Sequence, residues 1–538
     1  VIVFVLALYR DLMETPLQSE CIALFQAKQY QSCEIVAQLE LSRCQRTRAA
    51  AVPMELIGDC AQATQQYRRA ISYFRKAALI VEDDSLLRWK EAQCLAKLGS
   101  AMEGAAILER TTNRNLGMAM TLGHLYIQSG RHKDAIKAFM EALCLNSYAL
   151  EAIQWLAILG ADRNAVMTAV EKGILEKSQR SALPIIELVS AHFLQHRNQA
   201  SLALDAFTKM ERQYPNNIYL LLQIAALHLQ TSDEVNAERT FERIRNVDDC
   251  CMEKMDEYAH LLQKRGAESA LNSLASEMLE LDDKRPEPWV ILSLYQYTRH
   301  DNEKAISFVD KAISLDQRHS FAHRIKGIIL LSDNAPDKAA ASFFHANELS
   351  RDVASYEGLV ECYLARHQYK EAVCMAREAI EIAPRDFRAV TLVGLALSHA
   401  KPNEGRDRAK RAFQKALKLD PSALRPLLAL VDIYMQERDY DTCVELLQRG
   451  KEGLTESHTS HSHFDTLDAR LGEIHTLNEN YTEAMLCFQL ALSSNPDNLE
   501  AQRGMDRLEK VIRGIDPDSM DDGDNGDDIG PAGMNASY

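Results

Sequence analysis

Small and apolar positions return along this chain at a fixed interval. Ala135, Ala169, Ala203, Ala237, Leu271, Ala305 and Ala339 stand 34 residues apart, and twelve residues before each lies a second small residue: Gly123, Ala157, Ala191, Ala225, Ala259, Ser293 and Gly327. Two small positions at that separation are what a pair of helices joined by a short turn needs in order to cross closely. Each block is therefore predicted to be a helix-turn-helix unit, with the small pairs facing each other at the crossing. A third fixed position carries Phe139, Phe207, Phe241 and Phe343, which with Trp289 read as core between helices rather than a ligand box. Pro215 and Pro496 stop second helices, because proline has no amide hydrogen to donate and its ring clashes with the preceding turn. Past Ala339 the equivalent residues are Ala372, Ala409, Cys443 and Ala484, so the gaps become 33, 37, 34 and 41 residues, with loops expected at 400–406 and 453–465. Weaker units precede the ladder at Tyr67, Ala70, Phe74 and Ala77 and around Ala92 and Gly104. The segment from Gly160 to Gly173 is the least regular, since Gly173 stands where a large apolar residue is usual.

The blocks Leu122-Gly123, Tyr126, Ala135, Phe139, Ala142 and Leu471-Gly472, Ala484, Phe488, Ala491, Pro496 resemble the tetratricopeptide repeat at its small, aromatic and alanine positions. The resemblance implies an all-α, right-handed superhelical solenoid of roughly fourteen units, in which each unit packs only on its neighbours. That architecture is read as one quasi-linear domain. Residues 1–65 are expected to hold N-terminal helices, truncated at the start and part of a dimerisation region. Residues 66–497 form the solenoid, and 498–513 an amphipathic capping helix with Leu499, Met505, Leu508 and Ile512 on one side.

Residues 516–538 carry seven aspartates and no lysine or arginine, and are expected to be disordered. They account for seven of the formal net charge of −16 and leave −9 for the body, a balance that argues against a nucleic-acid partner. The basic run Arg406 to Lys418 reads as the solvated side of one helix. The twelve cysteines are scattered, and Cys94, Cys144, Cys362, Cys374 and Cys487, inside helical patterns, read as small packing residues of a reduced, intracellular protein. Val1 to Tyr9 is apolar but too short to span a bilayer, so no membrane contact is expected; it reads as a first helix whose partner surface lies outside this sequence.

Chemistry is sparse. No Walker loop, Gly-x-Ser-x-Gly elbow or His-Glu-x-x-His helix occurs. His458, His461 and His463 sit in a Ser/Thr-rich stretch without a carboxylate or thiol at ligand spacing, so neither metal nor cofactor is expected. Function is therefore sought on surfaces. In the repeat architecture, positions 2, 5, 9 and 12 of each first helix point into a groove, counted with Gly123 or Gly327 as position 8. The carboxylate clamp of co-chaperones in this family needs basic residues and asparagine at positions 5 and 9. Here those sites read Met120 and His124, Val290 and Leu294, Arg324 and Ile328, Glu357 and Glu361, Thr391 and Leu395. No clamp is present, and Phe321, Arg324, Glu357 and Glu361 remain as the candidate groove.

A narrower resemblance lies in runs that the repeat does not demand: Asp256-Glu-Tyr-Ala-His-Leu-Leu262, Glu287-Pro-Trp-Val290 and Tyr356-Glu-Gly-Leu-Val-Glu-Cys-Tyr-Leu-Ala365. In that order and separation they look like the subunit 7 family of the anaphase-promoting complex, from about Gln66 to Arg513. The resemblance implies a non-catalytic scaffold of a cell-cycle ubiquitin ligase, nuclear and cytoplasmic. Its implied partners are the other repeat subunits, a second copy of itself through repeats before about Gly130, and a coactivator tail ending in Ile-Arg, whose arginine Glu357 and Glu361 would accept. An adaptor of another assembly, intraflagellar or RNA-processing, is the alternative; an enzyme with a repeat arm lacks room for a catalytic domain.

Overall fold

A computed structural model describes residues 16–44, 48–81, 84–111, 113–176, 183–196, 199–231, 233–400, 404–456, 464–496 and 498–512. Val1 to Tyr9, the three clustered histidines and the acidic tail lie outside these. Among the described residues there are 29 α-helices, one 3-10 turn and no strand: fourteen helix pairs followed by the single helix Leu499–Ile512. They fall into two compact units, residues 1–213 with six pairs and residues 214–538 with eight pairs and the last helix.

In the first unit, helices Leu116–Gln128 and His132–Leu145 show how a pair is made. The Asn115 side chain accepts from the Met118 amide at 2.8 Å, satisfying one of the orphan donors at the helix start. Three residues then turn the chain, with Gly130 in the left-handed region (φ 73°) that a side chain disfavours. Ala135, Phe139 and Ala142 of the second helix are fully buried against Leu122 and Leu125 of the first. The glycine rung makes room for the ring: a Cβ on Gly123 would lie 2.5 Å from Phe139. The space at the crossing is thus filled by the phenylalanine four residues beyond the alanine rung. The same fit joins Gly58 to Phe74 in this unit, and Gly327 to Phe343, Gly394 to Phe413 and Gly472 to Phe488 in the second.

Thirteen of the fourteen ladder positions are buried; Ala169 is the exception and is half-exposed. Here the first helix, Leu150–Ile158, has nine residues where Leu116–Gln128 has thirteen, and the second, Arg163–Glu176, begins correspondingly early. Its fourth and eighth residues are Val166 and Val170, both fully buried, so the rung falls on Val166, three residues before Ala169. Gly173 gives close approach: a Cβ there would meet the Ser147 hydroxyl at 2.0 Å.

In the second unit the largest core runs from Leu221 to Ile329 through three successive pairs and the first helix of a fourth, and the last helix buries Ala501 and Leu508 beside Phe488. Several expected packing residues lie elsewhere. Cys94 and Cys362 are buried, but Cys144 and Cys374 are on the surface. Trp289 is only half-buried; its Nε1 donates to the Asp283 carbonyl at 2.8 Å and Lys311 Nζ sits 3.2 Å from its ring centre.

Candidate interaction groove

The four groove candidates come from two successive first helices of the second unit, Ser320–Ser332 and Val353–Ala365. Phe321 is buried, and the Arg324 guanidinium covers its ring at 4.6 Å. Arg324 is paired, its Nη1 reaching Asp352 at 2.7 Å just before the next helix. His260 packs edge-on against Phe321 at 6.0 Å, and burial, with the nearby Lys264 and Arg324 charges, pushes its pKa down to about 3.

Glu357 and Glu361, one helical turn apart, are not open receptors either. Arg425, at the start of helix Leu424–Gln436, pairs with Glu357 and with Glu361, the latter at 2.6 Å. Burial pushes the Glu361 pKa up and the Arg425 pKa down, so desolvation works against both charges. Such a pair gains little net stability, while removing one member strands the other. A neighbouring arginine behaves alike: Arg388 pairs with Asp386 at 2.9 Å and donates to the Gln230 carbonyl at 2.8 Å, across 158 residues of sequence. The groove wall is therefore neutralised from within.

Both arginines sit at position 2 of their first helices by the count already used. Extending that count from positions 5 and 9 to position 2 finds them in the sequence, but their partners, set by how this unit curves, are not legible there. Val290, Leu294 and Thr391, assigned to the groove by the same count, are buried in the core.

The runs that exceed the repeat signature also find a physical reason. Asp256 and Glu287 are buried, and His319 Nε2 lies 3.4 Å from Asp256 Oδ2 while its Nδ1 accepts from the Ala322 amide at 3.1 Å. Burial, with Glu257 and Glu287 beside it, raises the Asp256 pKa to about 8. Glu287 is held by Arg285 at 2.5 Å. Three successive first helices thus meet through polar groups that packing alone does not require.

These helix pairs define the class, an all-α tetratricopeptide-repeat solenoid. The tetratricopeptide-repeat family model matches residues 117–147 and 469–498. A solved structure, the crystal structure of the APC/C hetero-tetramer Cut9-Hcn1, is similar in fold with a TM-score of 0.57 and 16% identity, over 91% of this chain and 95% of that one. Anaphase-promoting complex subunit 7 of Arabidopsis thaliana is 29% identical over 93% of this chain and 94% of its own length. The Dictyostelium discoideum subunit 7 is 25% identical over 92% and 90%, and the Homo sapiens subunit 7 is 24% identical over 83% and 78%. The resemblance to anaphase-promoting complex subunit 7 holds in plant, amoeba and animal relatives, and in the plant case it covers more of the chain than Gln66 to Arg513. No helix among the described residues is long and apolar enough to cross a membrane.

Proposed function

We propose that this chain is a non-catalytic repeat scaffold subunit of an anaphase-promoting complex, supplying geometry to a ubiquitin ligase whose chemistry resides on other subunits. One observation carries the reading: subunit 7 relatives from three kingdoms align along most of the chain, so the likeness belongs to the whole stack and not to a stray repeat pair. Other repeat subunits are its partners, and a nuclear and cytoplasmic location accompanies that role. Self-association through the first unit fits Ile35, Leu39 and Leu79, whose side chains are 60%, 59% and 83% exposed on helices Tyr30–Arg43 and Tyr67–Ile80. Isologous contact of such a face closes a dimer and prevents open filaments. A coactivator tail is the less favoured partner, because its arginine has to displace Arg425 from Glu357 and Glu361.

Affinity purification of the tagged full chain followed by mass spectrometry tests the reading. The expected set contains a cullin subunit, a RING subunit and further repeat subunits. Recovery of a ciliary-transport or RNA-processing set instead moves the chain to another assembly.

A further inference from the structure

The basic run that the scaffold reading leaves unused lies beside a cleft. Helices Tyr369–Ile382 and Glu404–Leu419, with Leu397 of helix Phe387–Ala400 between them, line an open cleft of about 690 Å³. That volume falls within the roughly 300–1,000 Å³ of ligand-sized clefts. Val373 and Leu397 give the lining its apolar part; Lys370 and Arg377 enter from one helix and Arg408 from the other, with Glu371 as the carboxylate among them. Lys370, Cys374 and Arg377 stand at i, i+4 and i+7, hence on one helix face. At the rim the His367 Nδ1 and Tyr369 hydroxyl lie 3.0 Å apart, and Tyr369 stacks on His399.

Some nearby cations are engaged: Arg366 with Asp337 at 2.8 Å, Arg388 with Asp386, and Lys410 with Glu437. Among the described residues Lys370, Arg377 and Arg408 have no hydrogen-bond or ion-pair partner. In a chain of formal net charge −16, three open cations around one cleft are a local reversal of sign.

We propose that this cleft docks an acidic peptide segment of a partner protein. Arginine presents a planar fork that meets a carboxylate with two parallel hydrogen bonds, and Arg377 and Arg408 place two such forks on opposite walls. Lys370 adds a third charge, and Val373 and Leu397 receive an apolar side chain between the carboxylates. Nucleic acid fits less well, because its affinity grows with the number of phosphates neutralised along an extended face, and this cleft is lined by three cations and a carboxylate. The inference is independent of which assembly the chain serves. It shares no residue with Phe321, Arg324, Glu357 or Glu361.

Fluorescence polarisation tests it, with the full-length chain and a fluorescein-labelled peptide of four glutamates interrupted by one leucine. The expected result is binding that weakens as salt rises. It should fall at least tenfold in Arg377→Glu/Arg408→Glu and stay unchanged in Lys415→Glu, which alters the same helix outside the cleft. Circular dichroism checks that the double variant keeps its helices. An assay on the unaltered chain stands beside it: the peptide should slow alkylation of Cys374 by iodoacetamide, followed at that site by mass spectrometry. Equal binding by a folded double variant, an unchanged Cys374 alkylation rate, or tighter binding of an oligothymidylate of equal charge at the same salt overturns the proposal.

Discussion

Two neighbouring pairs in the second unit solve the same crossing in opposite ways. In the pair Ser320–Ser332 and Pro336–Leu349, the eighth residues are Gly327 and Phe343. The ring lies so close to Gly327 and to Gly358 of the following helix that a Cβ on either would come within 2.8 or 2.4 Å of it. In the next pair, Val353–Ala365 and Tyr369–Ile382, the eighth residues are Val360 and Ala376, both fully buried in one core. One crossing gives its volume to the second helix, the other to the first. The repeat is thus held by a sum of side-chain volumes at close-packed density, and residue identity at either position follows from its partner.

Phe343→Ala breaks the first arrangement most severely. It removes a fully buried ring and is expected to cost about 3–5 kcal/mol, measured by denaturant unfolding. Gly327→Val added to that variant should recover stability, giving a coupling energy well outside additivity in the double-mutant cycle. Additive losses would show that the two positions do not share volume. A smaller effect is expected from Gly327→Arg, which overpacks the crossing and costs about 1–3 kcal/mol or more. Because the packed core of a repeat unit is shared mainly with its neighbours, the damage should appear as lost hydrogen-exchange protection between Phe321 and Ala346. Unchanged protection there would refute the assigned crossing. The smallest effect sharpens the register: Ala169→Arg should change stability by less than about 0.5 kcal/mol, as for a surface site, whereas Ala135→Arg should severely destabilise the first unit.

That last contrast marks how far the sequence could be read. The small rungs and the buried phenylalanines were legible because close crossing restricts side-chain volume every 34 residues. Ala169 misled because a shortened first helix moves the crossing three residues; Gly173 marked the segment as irregular, but the size of the shift is revealed by the burial of Val166 and Val170. In the groove, Arg324, Glu357 and Glu361 were found by counting positions, but Asp352 and Arg425 were not. Pairing across the 64 residues from Glu361 to Arg425 depends on the curvature of the stack, which many small packing angles set together. Cys374 was read as core from a helical pattern that does not by itself say which face is covered.

The scaffold reading is tested most directly by native mass spectrometry of the assembly recovered with the tagged full chain. The account predicts a particle with two copies of this chain beside other repeat subunits and a cullin–RING pair, and loss of the second copy when Ile35 and Leu39 are changed to glutamate. A chain that runs by itself, or a particle holding one copy that those substitutions leave untouched, would contradict it.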